Sequence, residues 1–209
     1  ARRYLTYLAV EKRVSASTQQ QAFNALLSLY RYVLNIPIDR LHETIRAKRP
    51  TRLPVVLSPT ELKRVIEALE EPYALMVRLI YASGIRLHEC LSLRIQDLEF
   101  EGEALIVRSG KGEKDRRTLL PQSLHPELKS YMKKVRLLFD EDRSFNRPGV
   151  PLPDALTTKY RHAATEWRWF WLFPSKRLSV DPRSGNPARF HLYPTTLQKQ
   201  VHNAVTRVG

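Results

Sequence analysis

Gly84 limits what this chain can fold into more than any other residue. It breaks an apolar helical run that carries Leu75, Met76, Leu79 and Ile80. Two residues on, Arg86 opens a second short apolar stretch, Leu87-His88-Glu89-Cys90-Leu91-Ser92-Leu93. Glycine tolerates the left-handed conformation that ends a helix, so the pattern predicts helix, stop, helix. After about 25 residues comes Ser109-Gly110-Lys111-Gly112-Glu113-Lys114-Asp115-Arg116, a glycine-flanked lysine. On its two sides lie strand-like runs. Leu98-Glu99-Phe100, Glu101-Gly102-Glu103 and Ala104 to Arg108 read as strand, turn, strand, and Arg116 to Leu120 reads as a third strand.

The other elements follow from caps and periodicity. Arg2 to Val10 reads as an amphipathic helix. Ser17-Thr18-Gln19-Gln20 is a helix start, with Ser17 as cap and Gln20 completing a capping box. Phe23, Leu26, Leu27, Tyr30, Val33 and Leu34 then recur at helical spacing, and Asn35-Ile36-Pro37 ends the run. Ser58-Pro59-Thr60-Glu61 is a second capping box, with proline at the first helical position. Glu127 to Leu138 and Thr195 to Val208 read as further helices, the last with Leu197, Val201 and Val205 on one face.

Between the first helices and Ser58 lies Arg46-Ala47-Lys48-Arg49-Pro50-Thr51-Arg52-Leu53-Pro54, with four cations, two prolines and no acid. It reads as an extended linker, since proline biases the chain away from helix. Arg46, Lys48, Arg49 and Arg52 are candidate contacts to backbone phosphate, against the plainer reading of a solvated charge run. The expected organisation is a helical piece over 1–45, a basic linker over 46–57 and a mixed domain over 58–209. The fold class is α+β, mainly helical, with a small antiparallel sheet.

The net charge of +14 favours a polyanionic partner, most simply nucleic acid. No apolar run approaches the roughly 18 residues that a membrane span needs, so no membrane partner is expected. With one cysteine, Cys90, no intrachain disulfide can form, which fits the cytoplasm. No Cys/His cluster has metal-ligand spacing, and no metal or other cofactor is expected.

Arg86 offers a planar fork of donors that suits two non-bridging phosphate oxygens. The competing reading is a surface arginine paired with Glu89 at i+3. A lysine between glycines, Lys111, can enter a groove and offer a proton to a leaving oxygen; the competing reading is a solvated turn. Lys114 and Arg116 beside it are further candidate DNA contacts.

In this order, the Gly-x-Arg-x-x-Glu helix, three short strands and Gly-Lys-Gly resemble the opening of the catalytic domain of tyrosine site-specific recombinases. The helices before the basic linker resemble part of that family's core-binding domain. Pro54-Val55-Val56-Leu57-Ser58, Leu156 to Tyr160, Trp167 to Pro174, Asp181-Pro182-Arg183-Ser184-Gly185 and Leu197 to Val201 narrow the resemblance to integron integrases. These carry an insertion that corresponds to about 151–191. The resemblance implies DNA strand exchange through a 3′-phosphotyrosyl link, without cofactor, by a tetramer on paired sites. It implies Arg86 and Lys111 as catalytic residues, Glu89 as the acid that orients them, and Trp169, Pro182 and His191 as holders of bases protruding from a folded single strand. Where the family tends to have a second histidine, this chain has Phe190.

The family's His-x-x-Arg box and nucleophilic tyrosine are expected beyond Gly209, because no His-x-x-Arg occurs here. The sequence therefore reads as a fragment that binds DNA without cleaving it. A phage-type or chromosome-dimer-resolving recombinase, and a non-catalytic DNA-binding regulator, are the alternative readings.

Overall fold

The computed structural model describes residues 1–36, 45–47, 56–108, 115–152, 156, 160, 162–182 and 185–209. They fall into two compact units, Ala1–Val56 and Leu57–Gly209. The fold is mainly helical α+β: a helical first unit, and a second unit in which helices surround a small antiparallel sheet.

In the first unit, α1 (Arg2–Val10) packs on α2 (Ala16–Ser28), which continues as a wider π turn over Leu29–Val33. The cap of α2 is Ser15, not Ser17. Ser15 is extended, and its hydroxyl accepts from the Thr18 N–H. The Val14 N–H is held by the Leu8 carbonyl, so the chain leaves α1 early and the helix starts two residues sooner than the composition suggests. Gln19 is buried and acts as a clamp. Its amide donates to the carbonyls of Leu5 (2.9 Å) and Ile45 (2.7 Å), and its Oε1 accepts from the Ala47 N–H (2.8 Å). Such a buried amide is stable because each polar atom has a partner.

The second unit opens with α3 (Pro59–Glu67), whose capping box forms as its sequence predicts. Ser58 accepts from the Glu61 N–H, and the Glu61 carboxylate accepts from the Ser58 N–H at 2.8 Å. Next, α4 (Tyr73–Ser83) ends at Gly84, which adopts φ +64° and sends its N–H back to the Ile80 carbonyl. The short α5 (Leu87–Leu91) follows, then a three-stranded meander: β1 (Leu98–Glu99), β2 (Ala104–Val107) and β3 (Arg116–Leu119). Leu98 pairs with Leu105, and Val107 with Arg116. This register buries Leu105 and Val107.

Next comes α6 (His125–Ser144), tied to α4 by the Arg78–Glu127 ion pair and six residues longer at its C-terminal end than expected. The extension is held by Phe139 and Asp142, both buried. A two-stranded ribbon, β4 (Ser179–Val180) with β5 (Pro187–Ala188), precedes the last helix, α7 (Pro194–Val208). Leu197 and Ala204 are the buried residues of α7; Val205, expected on that face, is exposed, because 197 and 204 lie two turns apart on one stripe.

The core joins Leu75, Met76 and Leu79 of α4, Cys90 and Leu91 of α5, Leu105 of β2 and Leu128 of α6 to the aromatic run Trp169–Phe173. Burying each such side chain contributes roughly 1.5–3 kcal/mol. Cys90 is packed there, and burial pushes its thiol pKa up, away from reactivity.

Gly149 marks a close backbone approach. A Cβ at this position would lie 2.8 Å from the Ala164 Cβ and nearer still to the Ala164 carbonyl. The Val150 N–H bonds to that same carbonyl at 2.9 Å, so the segments cannot part cheaply. Gly149→Ala should therefore lower stability by about 1–3 kcal/mol, read from urea denaturation. An unchanged midpoint would mean that the approach relaxes without cost.

A candidate phosphodiester site

Arg86 stands at the turn between α4 and α5, placed there by the left-handed Gly84. The strand β3 is tied to the same turn, because the Thr118 hydroxyl donates to the Ser83 carbonyl at 2.9 Å. Arg116, two residues earlier on β3, thus comes beside α5.

Glu89 joins the two arginines. Its side chain is only 8% exposed, and its two oxygens accept four N–H groups. Oε1 takes Arg86 Nη1 and Arg116 Nη1, each at 2.8 Å. Oε2 takes the Arg86 backbone N–H at 2.7 Å and Arg116 Nη2 at 2.8 Å. This fills the carboxylate's roughly four acceptor positions. The hydrogen bonds from Arg116, with those from the Arg86 backbone and side chain, outweigh burial and hold the Glu89 pKa down at about 2. Glu89 is therefore ionised wherever the protein is studied near neutrality.

The arginines differ. Arg116 commits both terminal nitrogens to Glu89 in a bidentate pair. Arg86 commits one, and its side chain is 60% exposed. Among the described residues, no other hydrogen bond or ion pair engages the Arg86 guanidinium. The i+3 pair that competes with a phosphate role does form, but it uses one nitrogen and leaves the rest of the fork turned to solvent. The backbone amides add less than their position at a helix start suggests. The helix has five residues, and the Arg86 N–H is taken by Glu89.

Lys111 and Lys114 lie outside the described residues, as do Lys48, Arg49 and Arg52. In the first unit, Arg46 is exposed, and its backbone runs between the two points where Gln19 holds Ile45 and Ala47.

The candidate base-holding residues are placed differently from one another. Trp169 is 8% exposed and sits in the core, so its ring has no open face for a base. Its carbonyl accepts from Arg94 Nη1 at 2.5 Å. Trp167 and Trp171 are also packed, Trp167 against Phe139 and Trp171 under the Arg94 guanidinium at 3.9 Å. Pro182 is exposed at the β4–β5 turn. His191 is half-buried, edge-on to Trp171 at 5.0 Å, with Nδ1 2.7 Å from the Leu192 carbonyl.

Two buried arginines had no signal in the sequence. Arg94 donates to the Trp169 and Pro151 carbonyls, and burial pushes its pKa down to about 10. Arg189 pairs with Asp142 across 47 residues. Each is one cation among many in the sequence, and only the fold selects it.

Comparison with known proteins gives a consistent result. The sequence model described as Phage integrase family matches residues 55–209, and that described as Phage integrase, N-terminal SAM-like domain matches residues 1–40. An Integrase/recombinase of Escherichia coli is 43% identical over 206 residues, 99% of this chain and 61% of that protein. An Integrase/recombinase of Pseudomonas aeruginosa matches to the same extent. Tyrosine recombinase XerA of Pyrococcus furiosus is 37% identical over 121 residues, 54% of this chain and 41% of that protein. The chain thus spans about three fifths of the length of the first two relatives. Among solved structures, XerH site-specific recombinase bound to difH substrate shares the fold, with a TM-score of 0.57 and 20% identity, over 99% of this chain and 52% of that one.

Proposed function

The chain belongs to the phage integrase family of tyrosine recombinases, and from that membership we propose that its second unit holds a scissile DNA phosphodiester at Arg86. The observation that carries this reading is the exposed Arg86 fork, oriented by one hydrogen bond to a buried and ionised Glu89. A planar cation held this way meets two non-bridging oxygens and stabilises charge that develops on phosphorus during transfer. Lys111 is the general acid for the 5′ oxygen, and the family's tyrosine forms the 3′-phosphotyrosyl link in the whole recombinase. Arg46, Lys48, Arg49, Arg52 and Lys114 contact DNA backbone.

The substrate proposed is the folded single-stranded recombination site of gene cassettes, which the whole recombinase would integrate and excise as a tetramer. The sequence pattern over 151–191 supports it, together with exposed Pro182 and half-buried His191 near the β4–β5 ribbon. Trp169 serves this function from within the core, by shaping the segment rather than by stacking on a base. The test compares a hairpin bearing two protruding bases with the same stem fully paired, across a salt series. The hairpin should bind about tenfold or more tightly, as one or two stacked bases contribute roughly 1–3 kcal/mol each. His191→Ala should shrink the difference. Equal binding of both DNAs would remove the cassette-site reading and leave a duplex-reading recombinase.

A further inference from the structure

Arg116 has the charge of a DNA contact but not the freedom of one. Both of its terminal nitrogens end on Glu89, one on each carboxylate oxygen, at 2.8 Å. Arg86 shares the same carboxylate through Nη1 alone. Three charged groups thus carry a net charge of +1, and the geometry decides where it lies. The closed pair is Arg116 with Glu89, and the surplus charge sits on the exposed Arg86 fork. Without Arg116, the two Glu89 oxygens would have one guanidinium left in reach. A carboxylate and a guanidinium left alone favour the bidentate, fork-to-fork pair. Arg86 would then be turned inward and neutralised.

We propose that Arg116 is a positioning residue that occupies Glu89 and thereby keeps Arg86 open and cationic for phosphate. The DNA arm of this inference rests on the proposed role of Arg86. The link runs through the fold as well as through charge. Thr118 fastens β3 to the Ser83 carbonyl, and Val107 holds Arg116 in register, so the Arg116 stem is fixed relative to α5. Lysine cannot replace the fork, because an ammonium is a point donor that cannot span both carboxylate oxygens.

The experiment uses the chain as it stands, with duplex DNA as probe. Arg116→Gln should weaken binding about as much as Arg86→Ala, roughly tenfold or more at low salt. The double variant Arg116→Gln with Glu89→Gln should bind about threefold or more tighter than Arg116→Gln alone, because no carboxylate remains to capture Arg86, and should stay below the unaltered chain, because the ionised group that orients Arg86 is gone. A control with the same net charge, Arg116→Gln with Glu99→Gln, should not recover. Glu99 pairs with Arg117 instead, so this control separates local capture from the overall field. Thermal melts confirm that each variant folds.

A second arm needs no DNA. The Arg86 side-chain N–H resonances, followed by NMR, should show slower exchange in Arg116→Gln and return in the double variant. Full binding by Arg116→Gln, or loss that Glu89→Gln does not lessen, would overturn the positioning role and make Arg116 a bystander or a direct contact. If the NMR arm behaves as stated while Arg86→Ala binds DNA normally, the positioning role stands and the phosphate reading of Arg86 falls.

Discussion

Replacing Asp142 by alanine is expected to destabilise the second unit by about 3–5 kcal/mol, the cost of leaving one member of a buried ion pair alone. Asp142 on α6 and Arg189 after β5 are almost fully buried, at 0% and 2% side-chain exposure. Arg189 Nε donates to Oδ2 at 2.8 Å and Nη2 to Oδ1 at 2.5 Å. Its Nη1 donates to the carbonyls of Ser175 and Lys176, so one guanidinium fastens α6 to the segment before the ribbon. Arg147 adds a second cation at 3.0 Å. Burial pushes the Asp142 carboxyl pKa up, but the bonds and charges of Arg189 and Arg147 outweigh it and leave the pKa below the ordinary 3.8.

The pH dependence follows from that direction. A group with a depressed folded pKa contributes stability that is present above 3.8 and lost as pH falls through the folded value. Asp142→Ala should therefore flatten the acid limb of the stability profile as well as lower its plateau. Urea denaturation checks both. A joint change, Asp142→Leu with Arg189→Met, should recover most of the loss, since apolar groups of similar volume often replace a buried pair without penalty. A loss below about 1 kcal/mol for Asp142→Ala would mean that water reaches Arg189 and that the clamp is not buried in solution.

The largest effect on binding is expected from Arg86→Ala. Hydrogen bonds to a charged partner contribute about 1.5–3 kcal/mol, so affinity for duplex DNA should fall roughly tenfold to over a hundredfold. Stability should change by less than about 1 kcal/mol, because the Arg86 pair with Glu89 is half in solvent and Glu89 keeps Arg116. Arg86→Lys should recover only part of the affinity, since the ammonium lacks the planar fork. Fluorescence anisotropy against a labelled duplex measures this. Binding within twofold of the unaltered chain would assign Arg86 to the surface pair alone.

What could be read from the sequence was local. The Ser58 capping box, the Gly84 stop and the strand that begins at Ala104 depend on neighbours within a few residues, and each formed. The i+3 spacing of Arg86 and Glu89 was legible for the same reason. The role of Arg116 was not. Its partner is 27 residues away, and the register of β3 with β2 together with the Thr118 bond to Ser83 brings the two together. Asp142 and Arg189 meet across a still longer interval, and nothing in charge patterning selects them from 21 acidic and 35 basic residues. The same limit explains Trp169. A dense aromatic run fits a stacking platform or a core equally well, and packing against α6 and Arg94 decided for the core. Ser15 displaced Ser17 as cap because the end of α1, rather than the cap itself, sets where α2 begins.

The most direct test of the phosphodiester site is the salt dependence of duplex binding for the unaltered chain and for Arg86→Ala, measured side by side. The slope of log Kobs against log salt should be shallower by about 0.9 in the variant, one phosphate contact fewer. Two parallel lines of equal affinity would show that Arg86 touches no phosphate and would contradict the site as described.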